Sequence, residues 1–344
     1  MAVDKDSTGT FIAYFSASFL PWVTGDWGAG IAAIDGKVVD QAKETAFRNA
    51  LRFMNGLYKE GLLAPNSFTM TSDELKTLLQ AEPAIVGTYA AGWKTAYLST
   101  GSLRMLQSFS LKPLAGPQGV RYAAHASSAS NATAQWLITD KCKDPELAVA
   151  LYNYLIDFEV NMNGSVGQKG IVWDYPEAGA KGMDGGPALY RLLVNQSGNK
   201  PLNAWWDKGV PVIYPGTWFA GAQTTGVDEA KKYHETGDPS VENYLLQNPD
   251  YIELMWNMIA KAHEQYAVPD TYYVPAAILS DDDNIRLSEI NASLNTYKTQ
   301  AYVEFITGVK NIDRDADWNG FIAELDSYGA AEKVSIIQKY YSKK

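Results

Sequence analysis

Residues 135–158 read QWLITDKCKDPELAVALYNYLIDF, and the order of signals in this stretch decides the fold class. The run QWLIT (135–139) has the length and apolar character of a buried strand. Asp144, Pro145 and Glu146 then compose a helix start. Asp144 offers an acceptor for orphan N–H groups, Pro145 loses nothing by lacking its own in the first turn, and Glu146 sits at the positive end of the dipole. Leu147, Ala150, Leu151, Tyr154, Leu155 and Phe158 follow at helical spacing and are expected to form the inner face. A second strand-like run, AIVGTY (84–89), follows Pro83 and opens into Ala90-Ala91-Gly92-Trp93, the kind of strand-to-loop exit where α/β folds place ligand contacts. Strand and helix units of this kind argue for an α/β protein.

Working outward, Phe47, Ala50, Leu51, Met54, Leu57 and Tyr58 predict an amphipathic helix with Gly61 as its C-terminal stop. Apolar residues at 11–23 are interrupted by Ser16, Ser18 and Pro21, which makes the run too short and too polar to cross a bilayer and suited to packing. From 162 to 221 the periodicity breaks. This segment carries many of the 28 glycines and Trp173, Trp205, Trp206 and Trp218, and a long irregular stretch in a compact protein is usually functional. Helical spacing returns at Ile252, Met255, Trp256, Ile259, Ala262 and Tyr266, then at Ile290, Leu294, Tyr297, Ala301 and Phe305. It continues at Trp318, Phe321, Ile322 and Leu325, and finally at Val334, Ile337 and Tyr341. The expected division is 1–83, 84–280 with the glycine- and tryptophan-rich part inside it, and a helical 281–344.

At 344 residues the chain exceeds what one core comfortably supports, so two domains are expected. With 39 acidic against 29 basic residues and no basic run, nucleic acid and anionic membrane are poor partners. The single cysteine, Cys142, excludes an intramolecular disulfide and leaves the redox compartment open. Residues 1–10 do not read as an export signal, and so abrupt a start gives the expectation of a portion of a longer protein.

Catalytic chemistry is poorly supported. His125, His234 and His263 have no nucleophile elbow near them and read as structural or solvated, and there is no phosphate-binding glycine loop. Asp313, Asp315, Asp317, Asn319 and Glu324 have calcium-loop spacing, but Trp318 stands where the sharp turn needs glycine, so Asp317 is read as the cap of a helix beginning at Trp318. Asp281-Asp282-Asp283 reads as a helix start. No metal or cofactor is expected. A glycosidase would need two facing carboxylates with one pKa raised, which Asp26, Asp174, Glu177, Asp184 or Asp207 could supply, and this is the alternative function; a surface adhesin or scaffold is a third.

The aromatic residues carry the functional expectation. Of the 10 tryptophans, Trp136, Trp256 and Trp318 follow core periodicity, whereas Trp22, Trp27, Trp93, Trp173, Trp205, Trp206 and Trp218 lie among glycines and prolines. Rings of about 150–250 Å² displayed on loops make stacking platforms for the flat faces of sugars. Trp93 and Trp173, each just past an apolar run, are the foremost ligand candidates, followed by the other five.

Several stretches together resemble one family. LRFMNGLYKEGLLAPNSFTM (51–70), AEPAIVGTYAAGW (81–93), GPQGVRY (116–122), WLITDKCKDPELAVALYNYLID (136–157), GQKGIVWDY (167–175) and DADWNGFIAELDSYGAAEKVSIIQKYY (315–341) are similar to the large extracellular solute-binding proteins. These are the carbohydrate-receptor lipoproteins of bacterial ABC importers, a group that includes alginate-oligosaccharide binders. The likeness runs from about residue 35 to the end; the family's leader, lipid-attachment cysteine and first half-lobe have no counterpart. It implies a type II periplasmic-binding-protein-like α/β fold with a helix-rich C-terminal part and one lobe incomplete. It further implies a carbohydrate ligand, a membrane permease as partner, a monomer, and an extracellular or periplasmic, lipid-anchored location for the whole protein. Tyr89, Trp93 and Trp173 match positions implied to line the cleft.

Overall fold

The computed structural model describes residues 1–25, 27–91, 96–98, 102–108, 111–123, 136–165, 167–182, 185–193, 221–223, 263 and 265–341. In chain order the principal elements are α1 (Thr8–Ser16), β1 (Thr24–Gly25), β2 (Gly28–Ala29), β3 (Ile31–Ile34), β4 (Lys37–Asp40), α2 (Thr45–Lys59) and α3 (Ser72–Leu79). They continue with α4 (Pro145–Leu155), α5 (Phe158–Ser165), β5 (Trp173–Asp174), β6 (Arg191–Leu192), α6 (Asp281–Thr307), α7 (Asp315–Ser327) and α8 (Ala330–Tyr341). The strands pair as three two-stranded antiparallel ribbons, β1 with β2, β3 with β4 and β5 with β6. The chain divides into two compact units: one of Met1–Tyr97, Leu111–Ala132 and His263–Lys344, the other of Leu98–Ser110 and Thr133–Ala262.

The first unit is built on aromatic packing among α1, α2, α6 and α7. Helix α2 forms where the spacing of Phe47, Ala50, Leu51 and Met54 predicts it, and all four side chains are buried. It ends as expected at Gly61, whose φ of 71° lets the Gly61 and Leu62 N–H groups turn back onto the Tyr58 and Leu57 carbonyls. The apolar residues between 11 and 23 pack as expected, with Phe11, Phe15, Leu20 and Trp22 buried. Phe305, Trp318 and Phe321 close the opposite side of this core. Asp281, Asp282 and Asp283 occupy the first turn of α6 behind the Ser280 cap, as a helix start should.

Two strand expectations fail. Residues 84–89 make a single parallel bridge among the described residues, Ala2 with Tyr89, and Ile85 is exposed, so the run lacks the neighbouring strand a ladder needs there. Residues 136–139 are irregular and Leu137 is 78% exposed. The helix start that follows is confirmed: Asp144 accepts the Leu147 N–H at 2.9 Å and Pro145 opens α4. Its expected inner face is a correction, since Leu147, Leu151 and Tyr154 are exposed and no α4 residue is buried. Asp317 also departs from expectation. Helix α7 starts at Asp315 with Arg314 as its N-cap residue, and Asp317 accepts the Asn311 N–H at 2.8 Å from within the first turn. Among the described residues no helix is long and apolar enough to cross a membrane.

Candidate functional site

In the second unit, α5 presents Glu159 and Asn163 one helical turn apart, on the same face. The turn that follows brings Gln168, Lys169 and Gly170 opposite them, and β5 adds Asp174; together these line an open pocket of about 650 Å³. The turn depends on Gly167. Its φ is 134°, and a Cβ there would lie 2.7 Å from Val172, while its carbonyl accepts the Trp173 indole N–H at 2.8 Å.

Trp173 is fully buried, with Phe158 and Tyr175 each edge-on to its ring at 5.8 and 5.9 Å. It is therefore a packed core ring, not a displayed platform, and the exposed ring of this segment is Tyr175. The Tyr175 hydroxyl donates to Glu159 Oε2 at 2.9 Å, and Lys169 Nζ donates to the same oxygen at 2.9 Å while lying 4.0 Å from the Tyr175 ring centre. The Lys169 ammonium, and next the phenol, hold Glu159 below the usual carboxylate range, and Glu159 in turn raises both partners. The backbone N–H of Lys169 donates to Asn163 Oδ1 at 2.9 Å and that of Tyr175 to Asp174 Oδ1 at 2.8 Å. Glu177 is paired with Arg191 at 3.2 Å. A glycosidase acid would need the opposite polarity to that of Glu159, a carboxyl kept protonated by burial.

In the first unit, Tyr89 meets Tyr97 edge-on at 6.0 Å, held there by the Ala2 bridge. Behind Tyr97 lies a buried carboxylate. Asp4 accepts the Ser7 N–H at 2.7 Å, the Ser72 hydroxyl at 2.6 Å and the Tyr97 hydroxyl at 2.8 Å. Burial opposes ionisation of Asp4, but these donors outweigh it and its pKa is lowered. Burial likewise raises Tyr97. Asp4, Ser7, Ser72, Tyr97, Glu159, Lys169 and Tyr175 are not prominent in the sequence, although the capping-type residues Asp4, Asp6, Ser7 and Thr8 signal the first of them.

The remaining candidates are distributed differently from expectation. Trp22 is 2% exposed and stacks on Phe47 at 4.8 Å, so it is a core residue. Trp27 is half-buried against Ile31, Val38 and Ile337 and donates its indole N–H to the Pro275 carbonyl at 3.2 Å. Trp318 packs in the core as expected, and Trp136 lies beside Tyr152 at 5.6 Å. His263 bonds the Leu111 carbonyl at 2.9 Å, a structural contact. Trp93, Trp205, Trp206, Trp218, Trp256, His125, His234, Asp26, Asp184 and Asp207 lie outside the described residues. Two of the calcium-spaced aspartates pair with arginines, Asp313 with Arg52 at 2.6 Å and Asp315 with Arg48 at 2.7 Å.

No family model matches the chain. In sequence it is 24% identical over 314 residues to the fructooligosaccharide ABC transporter substrate-binding protein FusA of Streptococcus pneumoniae, a match that covers 89% of this chain and 51% of FusA. The chain thus spans about half the length of the curated relative it matches. Among solved structures it is similar to an "HMO binding" ABC-transporter associated solute-binding protein of Bifidobacterium longum infantis, with 16% identity, a TM-score of 0.60, and 96% of this chain and 61% of that one covered. FusA in complex with kestose has 17% identity and a TM-score of 0.55 over 96% of this chain and 60% of its own. The alginate-binding protein AlgQ2 without calcium ion has 16% identity and a TM-score of 0.58 over 99% of this chain and 64% of its own. The chain has the periplasmic-binding-protein-like fold of the extracellular solute-binding proteins.

Proposed function

We propose that this chain, which shares the fold of extracellular solute-binding proteins, captures an oligosaccharide outside the cell and presents it to the membrane permease of an ABC importer. The observation that carries the reading is the sequence likeness to FusA along nearly the whole chain. The second-unit pocket is of the size small-ligand sites use and is lined by carboxylates, carboxamides and an amine, and the exposed Tyr175 bonds its Glu159. These groups suit hydroxyl recognition. The mechanism is binding without a covalent step. A ring laid on an aromatic face removes apolar area from water, at about 25 cal/mol per Å², and side-chain acceptors and donors replace water at the hydroxyls. Ligand-driven closure of a two-lobed receptor requires contacts made only in the closed state, because only differential affinity shifts a population. The extracellular location, lipid anchor and monomeric state expected for the whole protein belong to the same proposal.

The test is a panel of neutral fructo-, gluco- and galacto-oligosaccharides and of alginate oligosaccharides. Each is scored by melting temperature and titration calorimetry, with recovered sugar analysed by chromatography. A binder should raise the melting point by mass action and be recovered intact. Shortened sugar would establish the glycosidase alternative, and absence of binding across the panel would remove the receptor reading.

A further inference from the structure

The second-unit pocket has a feature that bears on which sugars it accepts: the one amine among its described lining residues is already neutralised. Lys169 Nζ is held by Glu159 Oε2 at 2.9 Å and sits over the Tyr175 ring, so its charge is met from two sides. The remaining charged group of the lining is Asp174. With Glu159 and Asp174 against Lys169, the lining carries a net negative charge. Glu159 Oε1 and Asp174 Oδ2 accept nothing among the described residues, which leaves two carboxylate acceptors open to the pocket. Asn163 supplies the complementary donor: its Oδ1 is taken by the Lys169 N–H, which leaves the Nδ2 hydrogens for a ligand. Gln168 adds a second carboxamide to the lining.

We infer that this pocket selects uncharged sugars, its two free carboxylate oxygens accepting neighbouring hydroxyls of a ring while the Asn163 amide donates to one of them. This rests on the reading of the chain as a carbohydrate receptor and names the substrate class for it. A hydroxyl donates to a carboxylate and accepts from an amide at once, so a vicinal pair satisfies the lining. A uronate carboxylate or a phosphate would instead meet two like charges and find, among the described lining residues, no unpaired cation to offset the cost of desolvation. The chain's formal net charge of −10 acts in the same direction at longer range.

The experiment compares the tightest neutral oligosaccharide of the panel with an alginate trisaccharide by calorimetry at fixed ionic strength. It uses the parent chain, Glu159→Gln and Asp174→Asn, with circular dichroism to confirm that each variant is folded. Both substitutions keep the oxygens that accept from Tyr175 and Lys169. The neutral sugar should bind the parent at least about tenfold more tightly than the alginate trisaccharide, and each variant should lose about tenfold for the neutral sugar. The variants should also narrow the gap between the two sugars. Equal or tighter binding of the alginate trisaccharide overturns the selectivity and leaves carbohydrate capture standing. Neutral binding unchanged by both substitutions overturns the assignment to this pocket. Binding of neither class removes the receptor reading, and this inference with it.

Discussion

At the scale of single residues, the ionisable groups with most at stake are Asp40, Lys298 and Lys333. Lys298 meets both Asp40 oxygens at 2.7 and 2.9 Å in the interior, whereas Lys333, 3% exposed, has an amide oxygen, Asn291 Oδ1 at 2.6 Å. Burial first, and then the neighbouring Lys298 charge, push Lys333 down to about 8 from 10.5, with Asp40 partly opposing. Because the folded state releases this proton earlier than the unfolded chain does, the cost is fully present below pH 8 and fades as pH rises toward 10.5. The gap corresponds to at most about 3 kcal/mol. Lys333→Met should therefore raise stability at pH 7 by about 1–3 kcal/mol, with the lost Asn291 bond subtracting from that gain. The advantage over the parent should shrink between pH 8 and 10 in paired urea titrations. A constant difference across that range would show that Lys333 does not titrate there. Such residue-scale facts were largely hidden in the sequence. Trp173 reads as a displayed ring because it follows an apolar run among glycines, yet those same glycines fold the turn that accepts its N–H and seals it.

Elements were more legible than sites, for a physical reason. Helix α2 could be read because its periodic face and glycine stop are local signals, and α6 because Ile290, Leu294, Ala301 and Phe305 recur at helical spacing and pack into one core. The runs 84–89 and 136–139 carry the composition of strands, but strand formation needs a partner from elsewhere in the chain, which local composition cannot reveal. The joint between α2 and α6 was equally invisible. Asn55, mid-helix and 3% exposed, donates its amide to the Phe305 and Ile306 carbonyls at 3.1 and 3.0 Å and so satisfies the last turn of α6. Asn55→Ala should cost about 1–3 kcal/mol, since two buried carbonyls lose their donor. Thr299→Ala, whose hydroxyl bonds only the Asn295 carbonyl on an exposed face, should change stability by less than about 0.5 kcal/mol. Urea midpoints of the two variants check this. Equal effects would mean that the Asn55 bonds do not hold the helix end.

For the whole molecule, charge is the property best read from sequence, because it adds up without knowledge of packing. The structure adds where the cations go. Arg48, Arg52, Arg286, Lys339 and Lys169 are each engaged by a carboxylate, which removes these five from any free basic stripe. A polyanion gains from a protein chiefly by exchanging its counterions for unpaired lysine and arginine, and a formal net charge of −10 opposes even the approach. The chain should accordingly show no binding to a fluorescent duplex DNA by anisotropy up to about 100 µM protein at about 0.15 M salt, near the weak end of non-specific affinities. Lowering the salt strengthens attraction where a basic patch exists and strengthens repulsion where none does. The anisotropy should therefore stay flat as salt is reduced, and a rise at low salt would locate a basic surface that neither the composition nor these ion pairs account for.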